Sequence, residues 1–267
     1  MAPARPAVLV IAGSDSSGGA GLTRDVRSLE AMGADALCAL TAVTAQTDAR
    51  VLAVHPVPAA QVRAQIEAAF AARRIGAVKI GMLVDRATLE AVADALGDAP
   101  AVPVVLDPVL RASSGAALLE DERYERLRAR LFPLTTLLTP NLPEAAELVG
   151  AVPEADPAPA RIVEWARRLL GQGVRAVLVK GGHASGAQVA DVLVQPDCEP
   201  LWLSAPRLAA SRRGTGCALA SAIAAGLAAG EDLAAACDRG RAHVRERLAE
   251  VEDRSRVQPT ATLQEKP

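Results

Sequence analysis

The sequence predicts an α/β protein built on a mostly parallel central sheet with helices on its faces. Three observations carry that prediction. Short β-rich apolar runs alternate with longer stretches whose apolar residues recur at three- and four-residue spacing. Hydrophobic residues make up 51% of the 267 positions, mostly Ala, Val and Leu, enough to bury a sheet with few aromatic anchors. The alternation continues along the chain with no internal repeat and no low-complexity tract, which points to one domain.

Taken in order, strands are expected over 7–12, 36–44, 77–80, 102–106, 137–138 and 176–180. A later pair, 189–194 and 201–205, is separated by a short polar break and suits a hairpin. Helices are expected where stripes form. Leu22, Val26 and Leu29 make the first, closed by Gly33; Val62, Ile66, Ala69 and Phe70 make the second. Leu89, Val92 and Leu96 follow, then Tyr124, Leu127 and Leu131, then Ile162, Ala166 and Leu169 before Gly171. A last Ala-rich helix over 218–229 is closed by Gly230. The Pro-, Ala- and Asp-rich segment 153–159 reads as a surface loop, and the polar end 258–267 as frayed.

The formal net charge of −2 gives no bulk pull toward nucleic acid or an anionic membrane. No apolar run reaches the roughly 18–20 residues needed to span a bilayer. The opening run 7–12 lacks a signal-type cleavage pattern and reads as a buried strand. Cys38, Cys198, Cys217 and Cys237 are scattered, with neither a disulfide framework nor C-x-x-C spacing, which fits a reducing cytoplasm.

Candidate chemistry gathers at the carboxyl ends of the predicted strands, the edge where open α/β sheets bind ligands. Ala12-Gly-Ser-Asp-Ser-Ser-Gly-Gly-Ala-Gly21 follows the first strand and leads to Asp25. It is neither a dinucleotide fingerprint nor a P-loop, and its glycines let backbone approach a ligand or simply form a flexible turn. Asp107-Pro108 follows the strand over 102–106; its carboxylate suits a magnesium-bound water, and the dipeptide alone also marks a turn. Asn141, Pro143 and Glu144 have the residue types of a helix start. Lys180 leaves a buried strand into Gly-Gly, where it can reach phosphate oxygens or meet water.

The most informative stretch is Gly214-Thr-Gly-Cys217, entering the Ala-rich helix. Unused amides at such a terminus make an anion pocket. The positive helix end is expected to lower the pKa of Cys217 and favour its thiolate. Cys38 and Cys237, by contrast, are expected to be buried small apolar residues.

These motifs, with Thr41-Ala-Val-Thr-Ala-Gln46, Lys79-Ile-Gly-Met-Leu83, Val105-Leu-Asp-Pro-Val109, Leu138-Thr-Pro-Asn-Leu-Pro-Glu-Ala145 and Val179-Lys-Gly-Gly-His183, resemble the ribokinase-like superfamily. Within it the chain is most similar to the hydroxymethylpyrimidine/phosphomethylpyrimidine kinases of thiamine biosynthesis, over about residues 7–250. The resemblance implies a single-domain three-layer αβα sandwich without a large lid domain, with the kinase domain over 1–250 and a polar, poorly ordered tail over 251–267. It implies ATP-dependent phosphorylation of 4-amino-5-hydroxymethyl-2-methylpyrimidine and its monophosphate, in a cytoplasmic homodimer. Gly13, Ala20, Asp25, Gln46, Met82 and Val109 would line the pyrimidine pocket, with Asp25 and Gln46 on the aminopyrimidine edge. Asp107, Asn141 and Glu144 would organise Mg2+, mostly through water. Lys180, Asn141 and Thr215 would contact ATP, and Gly214, Thr215 and Gly216 would form the anion hole. Because the phosphoryl transition state is loose, the attacking hydroxyl needs only late help, and Cys217 is expected to accept its proton.

The chain departs from the family's pattern at three places. Arg213 stands where His is usual before Gly-Thr-Gly-Cys, and is expected to compensate electrostatically at the nucleotide. Ser113-Ser-Gly115 replaces the usual Lys-Ser-Gly, and the chain end has no Gly- and His-containing motif. Two other readings use the same residues: a pyridoxal or pyridoxine kinase, and a ligand-binding homologue that has lost chemistry. Cysteine-dependent acyl transfer lacks a partner histidine.

Overall fold

The strand β1 (Ala7–Asp15) is buried along almost its whole length because its alternate residues serve two cores. Leu9 and Ile11 enter one apolar cluster; Val8, Val10 and Ala12 enter the other. A strand covered on both faces has no polar side to show, hence the unbroken apolar run. The computed structural model describes residues 4–109 and 121–257; the expectations at 113–115 and 258–267 lie outside them.

From β1 the chain passes through α1 (Gly21–Ala31) to β2 (Asp35–Gln46), parallel to β1, and then to β3 (Val51–Pro56), antiparallel along β2. After α2 (Ala59–Ala72) it crosses to the other side of β1 as β4 (Ala77–Ile80). There follow α3 (Arg86–Asp98), β5 (Val104–Leu106), α4 (Asp121–Arg130), β6 (Leu137–Leu138), α5 (Leu142–Leu148), α6 (Pro159–Leu170) and β7 (Val177–Val179). β8 (Gln188–Val194) and β9 (Leu201–Pro206) form an antiparallel hairpin, and α7 (Thr215–Ala228) and α8 (Leu233–Val257) complete the described chain. The described residues form a nine-stranded sheet in the order β3-β2-β1-β4-β5-β6-β7-β8-β9. Strand order reverses at β1, so a crevice opens outside the carboxyl ends of β1 and β4.

Two helix layers cover the sheet. Ile66 of α2, Leu89 and Val92 of α3, Leu148 of α5 and Trp165 of α6 pack with Leu9 and Ile11. Leu29 of α1, Ile223 of α7 and Cys237 of α8 pack with Val8 and Val10. The result is a three-layer αβα sandwich, with no inserted lid domain among the described residues. None of their helices is long and apolar enough to cross a membrane.

Three details differ from the sequence expectation. β3 escaped it because the strand lies against neither core, and its Leu52 is 57% exposed. Cys38 is exposed, not buried: it alternates onto the opposite face from Leu37 and Ala39, where the helix layer leaves it open. The helix α8 continues past the expected boundary at 250 to Val257, and Glu252 Oε1 accepts from the amides of Ala209 and Ala210 at 2.7 and 3.3 Å.

Candidate active site

The β1–α1 loop is held by a residue the sequence reading did not single out. Asp15 Oδ1 accepts from the Ser17 amide at 2.8 Å and its hydroxyl at 2.7 Å, while Oδ2 accepts from the Ala20 amide at 2.8 Å. Burial pushes this carboxyl up, but the bonds from Ser17, Gln46 and Ala20 outweigh it and hold it below its ordinary value. An Asp two residues before Ser, entering a Gly-rich turn, was the available signal. The stapled loop sets Ala20 against Gly214, whose φ of +75° requires glycine and whose Cβ would strike Gly19 O. A Cβ at Gly13 would collide with Met82 Cε, and Thr41 Oγ1 donates to Met82 O at 2.7 Å. Gly13 thus lies against Met82 and Ala20 against Gly214, with Gln46 close enough to bond Asp15.

Arg213 faces this loop. Its guanidinium donates to Ser17 Oγ, Thr47 O and Asp48 Oδ1 at 3.3, 3.0 and 3.3 Å and lies 3.5 Å from Asp15 Oδ2. The arginine ties the turn before α7 to the β1–α1 and β2–β3 loops, where the carboxylates of Asp15 and Asp48 face it.

The acidic edge forms along β5, β6 and β7. Lys180 Nζ donates to Asp107 Oδ1 at 2.8 Å, and Asp107 is 3% exposed. Asn141 caps α5: its Oδ1 accepts from the Glu144 amide at 2.9 Å, and Glu144 Oε2 accepts from the Asn141 amide at 2.8 Å. Burial pushes Glu144 up to about 7, although Lys180 pulls it down. Lys180 sits above its ordinary value: burial lowers it, and Asp107 and Glu144 more than reverse that. A Cβ on Gly216 would lie 3.2 Å from Lys180 Nζ and 3.5 Å from Asp107 Oδ2, so the α7 turn closes directly over this pair. Val109 follows it, its amide bonded to Asp107 O at 2.9 Å.

The first helical bond of α7 runs from the Ala218 amide to Gly214 O at 2.9 Å, which leaves the amides of Thr215, Gly216 and Cys217 unused by the helix. Cys217 is half-buried beside them, and the Gly21 amide at the start of α1 faces its sulfur. The thiolate expectation is corrected: burial pushes Cys217 up to about 11, outweighing the pull of Lys79. Removal of water from the sulfur costs the anion more than the helix end returns.

Asp25 is also not where the sequence placed it. It is fully buried, with Oδ1 and Oδ2 each 2.9 Å from Lys79 Nζ and Oδ1 accepting from Ser221 Oγ at 2.8 Å. Both oxygens are thus engaged in the layer between α1, β4 and α7. The sequence suggested a lining residue because Asp25 follows the Gly-rich loop; Lys79, one strand away, was its unseen partner.

One edge thus joins a small crevice with apolar and amide walls, a lysine–carboxylate pair and a helix terminus with free amides, which is the equipment for holding an anion beside a small polar molecule. Other grooves, between α6 and Trp202 and between α3 and α4, contain none of these groups. The family model for phosphomethylpyrimidine kinase matches residues 15–260. The chain belongs to the phosphomethylpyrimidine kinase family. It is 40% identical over 233 residues to the hydroxymethylpyrimidine/phosphomethylpyrimidine kinase of Haemophilus influenzae, covering 86% of each chain. Its fold matches the crystal structure of phosphomethylpyrimidine kinase from Clostridium difficile with a TM-score of 0.77 and 33% identity, over 91% of this chain and 99% of that one. The pyridoxal kinase of Staphylococcus aureus in complex with pyridoxal superposes with a TM-score of 0.83 at 27% identity, covering 92% and 88%. The two structures share the ribokinase-like sandwich with this chain.

Among the described residues no group of three or more His, Cys, Asp or Glu stands ready to enclose a metal ion. The donor set nevertheless fits Mg2+ held through water, since that ion keeps several waters and needs only one or two carboxylates beside substrate phosphates. Asp107 Oδ2 takes no hydrogen bond among the described residues and faces the α7 turn, in position for such a water.

Proposed function

We propose that the chain transfers the terminal phosphoryl group of ATP to the hydroxymethyl oxygen of 4-amino-5-hydroxymethyl-2-methylpyrimidine, and then to the resulting monophosphate, in thiamine biosynthesis. The observation that carries this reading is the closure of Gly216 over the Lys180–Asp107 pair, with Gly214 of the same turn against Gly19 and Ala20 of the β1–α1 loop. Gly13, Ala20, Met82 and Val109 wall the heterocycle, and Gln46 reads its polar edge.

Lys180, Asn141 and Thr215 receive the ATP phosphates, with the lysine as a point charge. Mg2+, held through water by Asp107, Asn141 and Glu144, would add positive charge on the phosphates. The amides of Thr215 and Gly216, with Gly214 giving the turn its shape, meet the equatorial oxygens of the group in flight, where preorganised donors contribute most. The hydroxyl proton becomes acidic only as the oxygen–phosphorus bond forms. Cys217 takes it in its minor thiolate form, its own proton having passed to bulk water before transfer, and so acts as a base and not as a covalent nucleophile.

The same reading places the protein in the cytoplasm as a homodimer. Its free cysteines support the first. The exposed apolar pair Val43 and Leu52, 48% and 57% accessible on the β2–β3 arm, supports the second. A coupled ADP-release assay with hydroxymethylpyrimidine, its monophosphate and pyridoxal in parallel tests the assignment. Turnover is expected with the first two; a higher kcat/KM for pyridoxal would move the chain to the pyridoxal kinase reading, and binding without ADP release to the ligand-binding one.

A further inference from the structure

Beneath the crevice lies an ion pair that the proposed chemistry does not use. Lys79 and Asp25 are both completely buried. A buried pair of this kind is poor value as a stabiliser, since apolar residues of similar volume usually serve as well. The surroundings are nonetheless fitted to it: a Cβ on Gly81 would stand 2.8 Å from Lys79 Nζ. An ammonium carries three donors, and among the described residues only the two oxygens of Asp25 accept from this one.

The helix geometry says where the pair points. Ser221 is one turn beyond Cys217, and residues four apart share a helix face. Ser221 Oγ reaches Asp25 at 2.8 Å, so the face that carries Cys217 is the face resting on the Lys79–Asp25 pair. We propose that Lys79 is a positioning residue for Cys217: clasped by Asp25, its ammonium is a fixed cation under the sulfur that stabilises negative charge there. The inference rests on the reading of Cys217 as proton acceptor.

The charged and polar groups facing the sulfur come from every neighbouring element. Lys79 from β4, Lys180 after β7 and Arg24 from α1 favour the thiolate, as does the Gly21 amide, while Asp25 and Asp107 oppose it. Of the charged groups, Lys79 acts most strongly on Cys217, and it has no route to solvent. A cation in that place cannot be screened away by salt.

The test is the rate at which iodoacetamide alkylates Cys217, followed by peptide mass spectrometry from pH 7 to 10, with exposed Cys198 as internal reference. Lys79→Met leaves a lone buried carboxylate, so the neutral pair Lys79→Met/Asp25→Asn is made beside it. Lys79→Met should slow Cys217 about tenfold or more relative to Cys198 at each pH, one pKa unit being a factor of ten; the double variant, which also loses the opposing Asp25 charge, should fall between it and the parent. A merely structural role predicts the opposite sign, because a loosened pocket exposes the sulfur and speeds alkylation. An unchanged or faster rate in the folded double variant overturns the proposal. Cys217→Ala separates the two claims: full turnover in that variant refutes the proton-acceptor reading, whereas the alkylation result bears on Lys79 alone.

Discussion

If Cys217 accepts the substrate proton, turnover should climb steeply with pH. Burial pushes its thiol up to about 11, so at pH 8 only about one molecule in a thousand carries the thiolate. Reaching that minor form costs about 4 kcal/mol, since each pKa unit corresponds to about 1.36 kcal/mol. The cost falls by the same 1.36 kcal/mol for every unit that the pH is raised toward the thiol value, and kcat should therefore rise about tenfold per unit between pH 7 and 10. The assay is kcat at saturating ATP and pyrimidine, measured by coupled ADP release, with circular dichroism to confirm that the fold survives at each pH. Cys217→Ala should lack this rising limb and turn over at a low rate, with an ATP KM close to that of the parent. Asp in that position should flatten the limb while retaining activity, because a carboxylate is already ionised. A flat profile for the parent enzyme would refute the argument, and so would an alanine variant with the same slope: either means that the proton leaves to water or phosphate and the sulfur only fills space.

Arg213→Ala should raise KM for the pyrimidine and leave KM for ATP nearly unchanged, because the guanidinium ties together the loops over the crevice; steady-state kinetics with each substrate varied in turn will show which moves. Gly214→Ala should lower stability by about 1–2 kcal/mol from the left-handed backbone alone, read as a shifted denaturation midpoint, and abolish turnover as Gly19 is driven away. Glu144, raised from 4.5 to about 7, holds more protons folded than unfolded between those values, so its burial lowers stability as pH rises through that window; Glu144→Gln should remove this dependence in calorimetry. Leu52→Glu should convert the proposed dimer to monomer by light scattering without unfolding the sandwich.

The parts of the fold legible in the sequence are those whose physics is local. β1 could be read because burial on two faces makes a short apolar run, and α5 because Asn141, Pro143 and Glu144 write its start in consecutive residues. Gly214 could be placed for the same reason, since a required left-handed turn leaves glycine at a fixed distance from the helix it opens. What could not be read was pairing across the sheet. Asp25 and Lys79 are 54 positions apart, and Lys180 and Asp107 73, so no spacing rule links them. Their partners decide what they do: Asp25 is spent on Lys79 and Ser221, and Cys217 is a thiol because desolvation there exceeds the favourable helix end. The same limit explains Arg213, whose charge was legible but whose direction depended on carboxylates at Asp15 and Asp48. The shared motifs mark one sheet edge, which is a local property; they misjudged the charge state of Cys217 because a charge state is a sum over neighbours from every layer. Two lysine–carboxylate pairs flank the α7 turn, one partly exposed and one sealed. The open pair can respond to a ligand, while the sealed one can only set the background field against which Cys217 works. A site divided in this way keeps its electrostatics constant while phosphate arrives and leaves, which is what a transition state needing positioned charge and no reorganisation requires.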